Sequence, residues 1–270
     1  MIPEAKHLLD WYDERARVLP WRSDPTPYRV WVSEIMLQQT RVEAVLSYFE
    51  RFLAALPDIH ALATVTEDGL YALWQGLGYY SRARNLRRAA QWCCEHNNCQ
   101  LPDTFAGLRA LPGIGEYTAG AIASIAFGKP TVAVDGNVVR VISRLDGLPG
   151  DPMALQAPVR EQVRAMQPPS RPGDFNQALM ELGAIVCLPN GAPLCDACPW
   201  QERCAAHAAG RELAYPAKKE KPPRRVEERL VILVTDGSKI LLHKRPDKGL
   251  LASLWEFPNE PLHGRPTDSA

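Results

Sequence analysis

The sequence predicts a mainly α-helical fold followed by the start of a β structure. Three observations carry this. From Ile2 to about His207, apolar residues recur at helical spacing and no clear β alternation interrupts them. Short turns bearing Gly or Pro separate these stretches. After His207 the composition shifts to Pro, Lys and Arg, and then to one hairpin signature.

The elements follow in order. Leu8, Leu9, Trp11 and Tyr12 form one apolar stripe, and Val30, Trp31, Met36 and Leu37 form another on a segment entered through Pro27. Thr66 before Glu67 and Asp68 predicts a helix N-cap with acids in the first turn. Gly76 and Gly78 break the chain before a helix from about Tyr79 to His96. Further helices are expected at about 116–127, 137–145, 155–166 and 174–186. Residues 208–228 hold Pro216, Pro222 and Pro223 among Lys218, Lys219, Lys221, Arg224 and Arg225, and read as a linker. Leu230–Val234 and Ile240–His243 then flank Asp236-Gly237, a β-hairpin signature. A lone hairpin does not make an independent domain. The expectation is a helical domain over 1–207 and a second domain, beginning near 229, inside which the chain stops.

Composition bounds the function. Of 270 residues, 46% are hydrophobic and 23% charged, which excludes a wholly disordered or fibrous chain. No run approaches the ~18 apolar residues of a membrane span, and the first 17 residues do not resemble a signal peptide. The 31 Lys and Arg balance 31 Asp and Glu, which argues against a uniformly basic surface. Charge is nonetheless segregated: residues 82–88 hold Arg82, Arg84, Arg87 and Arg88 with no acid. Seven cysteines without an export signal favour a reduced, cytoplasmic compartment and a metal site over a disulfide framework.

Five motifs carry chemistry. Leu111-Pro112-Gly113-Ile114-Gly115, opening a small-residue helix, sets two glycines in a turn at a helix N-terminus. Alone it reads equally as a simple turn or as an anion site, and between helices it suits a nucleic-acid phosphate. Val134-Asp135-Gly136-Asn137 reads as an N-cap or as a carboxylate that the helix dipole keeps ionised. Glu34 has Val30, Trp31 and Leu37 as helical neighbours. It is either a solvated residue or an inward carboxyl whose burial raises its pKa and makes it a general acid. Glu34 protonated and Asp135 ionised are what glycosidic cleavage through an oxocarbenium-like state requires. Cys187-x7-Cys195-x2-Cys198-x5-Cys204 reads as a metal site; it lacks the paired ends of a zinc ribbon and favours an iron–sulfur cluster over zinc. The arginines at 82–88 follow Gly78, Tyr79 and Tyr80, a stackable aromatic at a turn, and so favour nucleic acid over a solvated face.

Together these residues resemble the endonuclease III superfamily of DNA glycosylases. More closely, Leu19-Pro20-Trp21-Arg22, Pro27-Tyr28 through Gln38-Gln39-Thr40, and Gly76 through Leu86 resemble MutY-type adenine DNA glycosylases. The resemblance covers about residues 5–207. Leu254-Trp255-Glu256-Phe257-Pro258 resembles the start of that family's Nudix-like domain. The resemblance implies a two-lobed helix-hairpin-helix fold, with the hairpin at about 111–127 and a cluster loop at 187–204. It implies excision of adenine opposite 8-oxoguanine or guanine from double-stranded DNA by a monomer. Glu34 matches the acid that protonates adenine, and Asp135 the carboxylate opposing the oxocarbenium ion, with Tyr117 and Asn137 beside it. Trp21, Arg22, Leu37 and Gln177 match the adenine pocket. Gln39 and Tyr79 match residues inserted into the duplex, and Arg82, Arg84, Gly113 and Gly115 lie in its DNA-binding segments. Cys187, Cys195, Cys198 and Cys204 match ligands of a 4Fe–4S cluster, although the family's first cysteine gap is six residues and here it is seven.

Three alternatives differ in named residues. An endonuclease III-like lyase carries a catalytic Lys where this chain has Tyr117, and no Schiff base can form on a phenol. A Nudix hydrolase needs a Glu-rich helix absent from the sequence. A cluster-bearing module without catalysis does not need both Glu34 and Asp135.

Overall fold

The computed structural model describes residues 2–217, 226–246 and 248–262. The chain divides into two compact units, one of residues 1–78 with 82–219 and one of residues 79–81 with 220–270. Much of the expected linker, residues 218–225, lies outside the described residues, as does the tail from 263.

The large unit is helical. Its helices are α1 (Pro3–Arg15), α2 (Pro20–Ser23), α3 (Pro27–Leu37), α4 (Val42–Ala55), α5 (Ile59–Thr64), α6 (Glu67–Trp74) and α7 (Ser81–His96). They continue with α8 (Phe105–Ala110), α9 (Glu116–Ile125), α10 (Gly136–Asp146), α11 (Gln156–Met166), α12 (Pro172–Ile185) and α13 (Ala205–Ala208). Local chemistry sets many starts. Pro opens α1, α2, α3 and α12, where a missing N–H costs nothing. The side chains of Asp58, Thr66, Thr104 and Asp135 accept hydrogen bonds from the first turns of α5, α6, α8 and α10.

Two groups of helices bury separate apolar faces. In one, α12 packs on α1, α9 and α10, around Leu8, Leu9, Val138, Ile142, Phe175, Leu179 and Leu182. In the other, Trp21 meets Phe49 edge-on with ring centres 5.2 Å apart, and Phe52 meets Trp74 at 5.9 Å. Buried Asn176 ties α12 to the segment before Asp135: its Oδ1 accepts from Ala133 N at 3.2 Å, and its Nδ2 donates to Ser124 Oγ and Thr131 O, each at 2.8 Å. Gly183 lets α12 approach α10 so closely that a Cβ there would lie 2.6 Å from Asn137 Cβ.

In the small unit the expected hairpin is reduced. Thr235 and Ile240 make one antiparallel bridge around Gly237, whose φ is +90°. The ladders form elsewhere. Strand β1 (Arg229–Val231) pairs with β4 (Asn259–Pro261), and β2 (His243–Lys244) with β3 (Trp255–Glu256). Leu230 through Val234 are exposed, so no buried face fixes a longer register there.

Two expectations are corrected. Cys94 and Cys99 are joined in a disulfide. The chain reverses through Asn98 and Cys99, at φ +50° and +53°, and returns Cys99 beside the last turn of α7. Arg82, read as a DNA contact, is only 9% exposed. Its guanidinium donates to the carbonyls of Ile35 (3.0 Å), Met36 (2.9 Å), Gln38, Leu77 (3.0 Å) and Gly78 (3.2 Å). A charge run in sequence does not say which arginine turns inward. This one satisfies carbonyls at the end of α3 that no helical N–H reaches.

Candidate active site

A cavity of about 540 Å³ opens between α3, α9, α10 and α12. It brings together Trp21, Arg22, Glu34, Leu37, Gln39, Tyr117, Asp135, Asn137 and Gln177, residues spread over most of the helical sequence. Tyr79, Arg82, Arg84, Gly113, Gly115 and the four clustered cysteines are not among its lining residues.

Glu34 sits on the buried face of α3 and is 7% exposed. Its Oε2 is buried without a hydrogen-bond partner. Burial pushes its pKa up to about 7, opposed by the neighbouring Tyr117 hydroxyl and by Arg22 and helped by the charge of Asp135. The Tyr117 hydroxyl, half-buried beside it, donates to Met180 Sδ at 3.0 Å.

Asp135 caps α10. Its Oδ1 accepts from Val138 N at 2.8 Å and its Oδ2 from Asn137 Nδ2 at 2.7 Å. Burial raises its pKa, against those donors and the charge of Arg140. Desolvation thus opposes the helix dipole, which favours the carboxylate. Arg140 extends the network, donating to Asn137 Oδ1 and to the carbonyls of Gly183 and Cys187, each at 2.8 Å.

Arg17, Ser33, Gln38, Met180 and Glu181 also line the cavity and were not singled out from the sequence. Glu181 matters most. It is 1% exposed, and its carboxylate accepts from Arg17 N (3.0 Å), Nε and Nη2 (2.8 Å each) and from Arg22 Nη2 (2.9 Å). Burial pushes its pKa up, but the bonds from Arg17 and Arg22 outweigh this and bring it down to about 2. Arg22 also lies 5.5 Å over the Tyr12 ring. Its guanidinium therefore reaches the cavity wall already anchored.

Gln39, which lines the cavity, takes φ +59°, and Tyr79 takes φ +48°, a left-handed conformation that is uncommon outside glycine. Tyr79 is 61% exposed. Arg82 holds the carbonyls just before both residues, Gln38 and Gly78. In the hairpin between α8 and α9, Gly113 and Gly115 are exposed while Leu111 and Ile114 are buried. Gly113 has φ +77°, and a Cβ there would lie 2.7 Å from Asn85 Cβ. Arg84 is half-buried and donates to Tyr71 Oη at 3.4 Å.

Cys187, Cys195, Cys198 and Cys204 line one separate cavity, with Arg144, Leu182 and Trp200. Buried Arg144 donates to Cys187 Sγ at 3.3 Å and to Leu188 O at 2.9 Å. Four converging sulfurs beside a buried cation fit a thiolate-ligated metal group, whose negative charge Arg144 would oppose.

Residues 32–165 match the HhH-GPD superfamily of base excision DNA repair proteins. The chain is 40% identical over 311 residues to an adenine DNA glycosylase of Rattus norvegicus, covering 95% of this chain and 60% of that one. It is 34% identical to the adenine DNA glycosylase of Buchnera aphidicola subsp. Schizaphis graminum, covering 93% of this chain and 73% of that protein. This chain belongs to the adenine DNA glycosylase family. Among solved structures, a thermostable thymine-DNA glycosylase superposes with a TM-score of 0.69 at 25% identity, over 76% of this chain and 95% of that one. The family's helical fold is thus the one described above. The chain spans about 60% of the length of the rat relative. Among the described residues, no helix is long and apolar enough to cross a membrane.

Proposed function

We propose that this chain excises adenine mispaired with 8-oxoguanine or guanine from double-stranded DNA, acting as a monofunctional glycosylase. The observation that carries the reading is one cavity holding Glu34, with its pKa pushed up to about 7, and Asp135, held by two N–H donors. A base inside a duplex is out of reach, so the adenine must be flipped out. Gln39 and Tyr79 enter the stack, and the glycine hairpin at 113–115 holds phosphate through backbone amides. In the cavity, Trp21, Leu37 and Gln177 enclose the base and Arg22 orients it.

Glu34 delivers its proton to the adenine ring as the bond from the base to C1′ breaks, and the bonding pair leaves with the base. Asp135 opposes the positive charge left on the sugar. Water adds to C1′ and gives up its proton to the ionised Glu34, which restores the acid. Tyr117 offers no amine, so no Schiff base forms and the strand is not nicked.

Cys187, Cys195, Cys198 and Cys204 are the residues that would hold a 4Fe–4S cluster. A tetrahedral zinc site, with Zn–S near ~2.3 Å, draws its sulfurs tightly together. The four cysteines line one cavity but lack the paired C-x2-C ends of a zinc ribbon, which supports the cluster over zinc. A bound cluster would supply a rigid tie for the loop after α12; hydrolysis calls for no electron transfer.

The test is single-turnover release of adenine opposite 8-oxoguanine. Glu34→Gln and Asp135→Asn are expected to abolish release while keeping duplex binding, and normal release by either would remove that residue's role. Borohydride trapping of a covalent complex would overturn the monofunctional reading. Iron content with visible absorption, lost in Cys198→Ser, is expected; a colourless zinc protein would refute the cluster.

A further inference from the structure

A second group of metal-ligating side chains lies outside both sites described above. Cys94, in the last turn of α7, Cys99 and His60 of α5 place their ligand atoms within 4.8 Å of one another. His60 Nδ1 is 4.0 Å from Cys99 Sγ. His60 is exposed and both cysteines are partly exposed, so solvent reaches all three. None lines the active-site cavity or the cavity of the other four cysteines.

The backbone, and not only the sulfur–sulfur bond, builds this arrangement. The N–H groups of Asn97 and Cys99 both donate to Cys93 O, at 2.8 and 3.1 Å, and Asn97 Nδ2 donates to Gln100 O at 2.8 Å. These bonds hold the reversal that returns Cys99 to Cys94. Gln91 Nε2 donates to Ala63 O at 3.2 Å and so ties α7 to the helix carrying His60. Reduction of the disulfide breaks none of these hydrogen bonds, since no sulfur atom takes part in them. It also frees two thiols at a C-x4-C spacing beside an imidazole, a donor set suited to zinc with the fourth position open to water.

We propose that His60, Cys94 and Cys99 form a surface site for a zinc-class cation, open when the two cysteines are reduced and closed when they are joined. Binding requires both thiols to lose their protons to solvent. Closure removes two electrons and two protons from the pair. A disulfide oxidant such as oxidised glutathione accepts them and becomes two thiols. Metal and disulfide then exclude each other at one place on the helical unit.

The experiment uses the whole chain with its iron loaded and a phosphine reductant present. Zinc uptake is measured against a chromophoric chelator, and cobalt(II) serves as a spectroscopic probe. Reduced wild-type protein is expected to take up one more equivalent than Cys99→Ser or Cys94→Ser, with tetrahedral cobalt bands and sulfur-to-cobalt charge transfer. His60→Asn should weaken that equivalent about tenfold or more. Oxidised glutathione should release it from the wild type and leave Cys99→Ser unaffected. Equal uptake by reduced wild type and Cys99→Ser, or uptake that oxidation leaves unchanged, would overturn the proposal. Comparing variants of exposed residues in one iron-loaded background removes any contribution from the other cysteines.

Discussion

Arg22 donates from Nη2 to Glu181 at 2.9 Å across 159 residues of sequence, joining the segment before α3 to the middle of α12. Arg17 shares the same carboxylate. Removing a buried charge that holds two cations leaves them unpaired and typically costs about 3–5 kcal/mol. Glu181→Gln is therefore expected to lower thermal stability and to slow single-turnover adenine release about tenfold, through a displaced Arg22. A variant with unchanged melting temperature and rate would show that the triad positions nothing.

The pH dependence of release follows from Glu34. In the proposed mechanism the group acts protonated, and its pKa is pushed up to about 7. The single-turnover rate is expected to fall about tenfold per pH unit on the alkaline side of this value. A rate that begins to fall near pH 4.5, the ordinary carboxyl value, would place Glu34 in water.

The same burial has a sign in stability. The unfolded chain ionises Glu34 near 4.5 and the folded chain near 7. Between these values the folded state binds more protons, so wild-type stability falls as pH rises through this window and levels off above it. Glu34→Gln lacks this loss. Its stability is expected to gain about 3 kcal/mol on that of the wild type between pH 4 and pH 8. Denaturant titrations of both proteins at the two pH values measure this.

Arg82 gives a prediction opposite to the one its sequence context invites. Arg82→Lys puts one ammonium where a planar fork reaches five carbonyls. It should destabilise the protein by about 2–4 kcal/mol and weaken duplex binding by loosening the turns before Gln39 and Tyr79. The slope of log affinity against log salt should stay unchanged. A slope reduced by about one would mean a lost phosphate contact instead.

The candidate site was legible where a residue's type conflicted with its surroundings. Glu34 among Val30, Trp31 and Leu37 stands out on a helical wheel, and Asp135 before Gly136-Asn137 marks a helix start. The structure brings both to one cavity. Glu181 carried the same signal, between Leu179 and Leu182, but its partners lie 159 and 164 residues away, and local periodicity does not reach that far. Arg82 failed in the other direction: adjacent arginines look equivalent until the carbonyls at the end of α3 select one. In the small unit, Asp236-Gly237 marked a real turn, but long-range strand pairing, as between Arg229 and Pro261, leaves no local trace.

The contact at Gly183 sets a manufacturing tolerance for the whole pocket. With the α12 backbone seated against Asn137, the wall bearing Gln177 and Glu181 and the wall bearing Asp135 share a single datum. Side chains elsewhere around the cavity could be exchanged for others of different size. The spacing between these two walls has no such freedom, because even one added methyl group would wedge them apart. Under the proposed function, selection for a new base would therefore have to work through α3 and the segment around Trp21, leaving the α10–α12 seam as the fixed gauge.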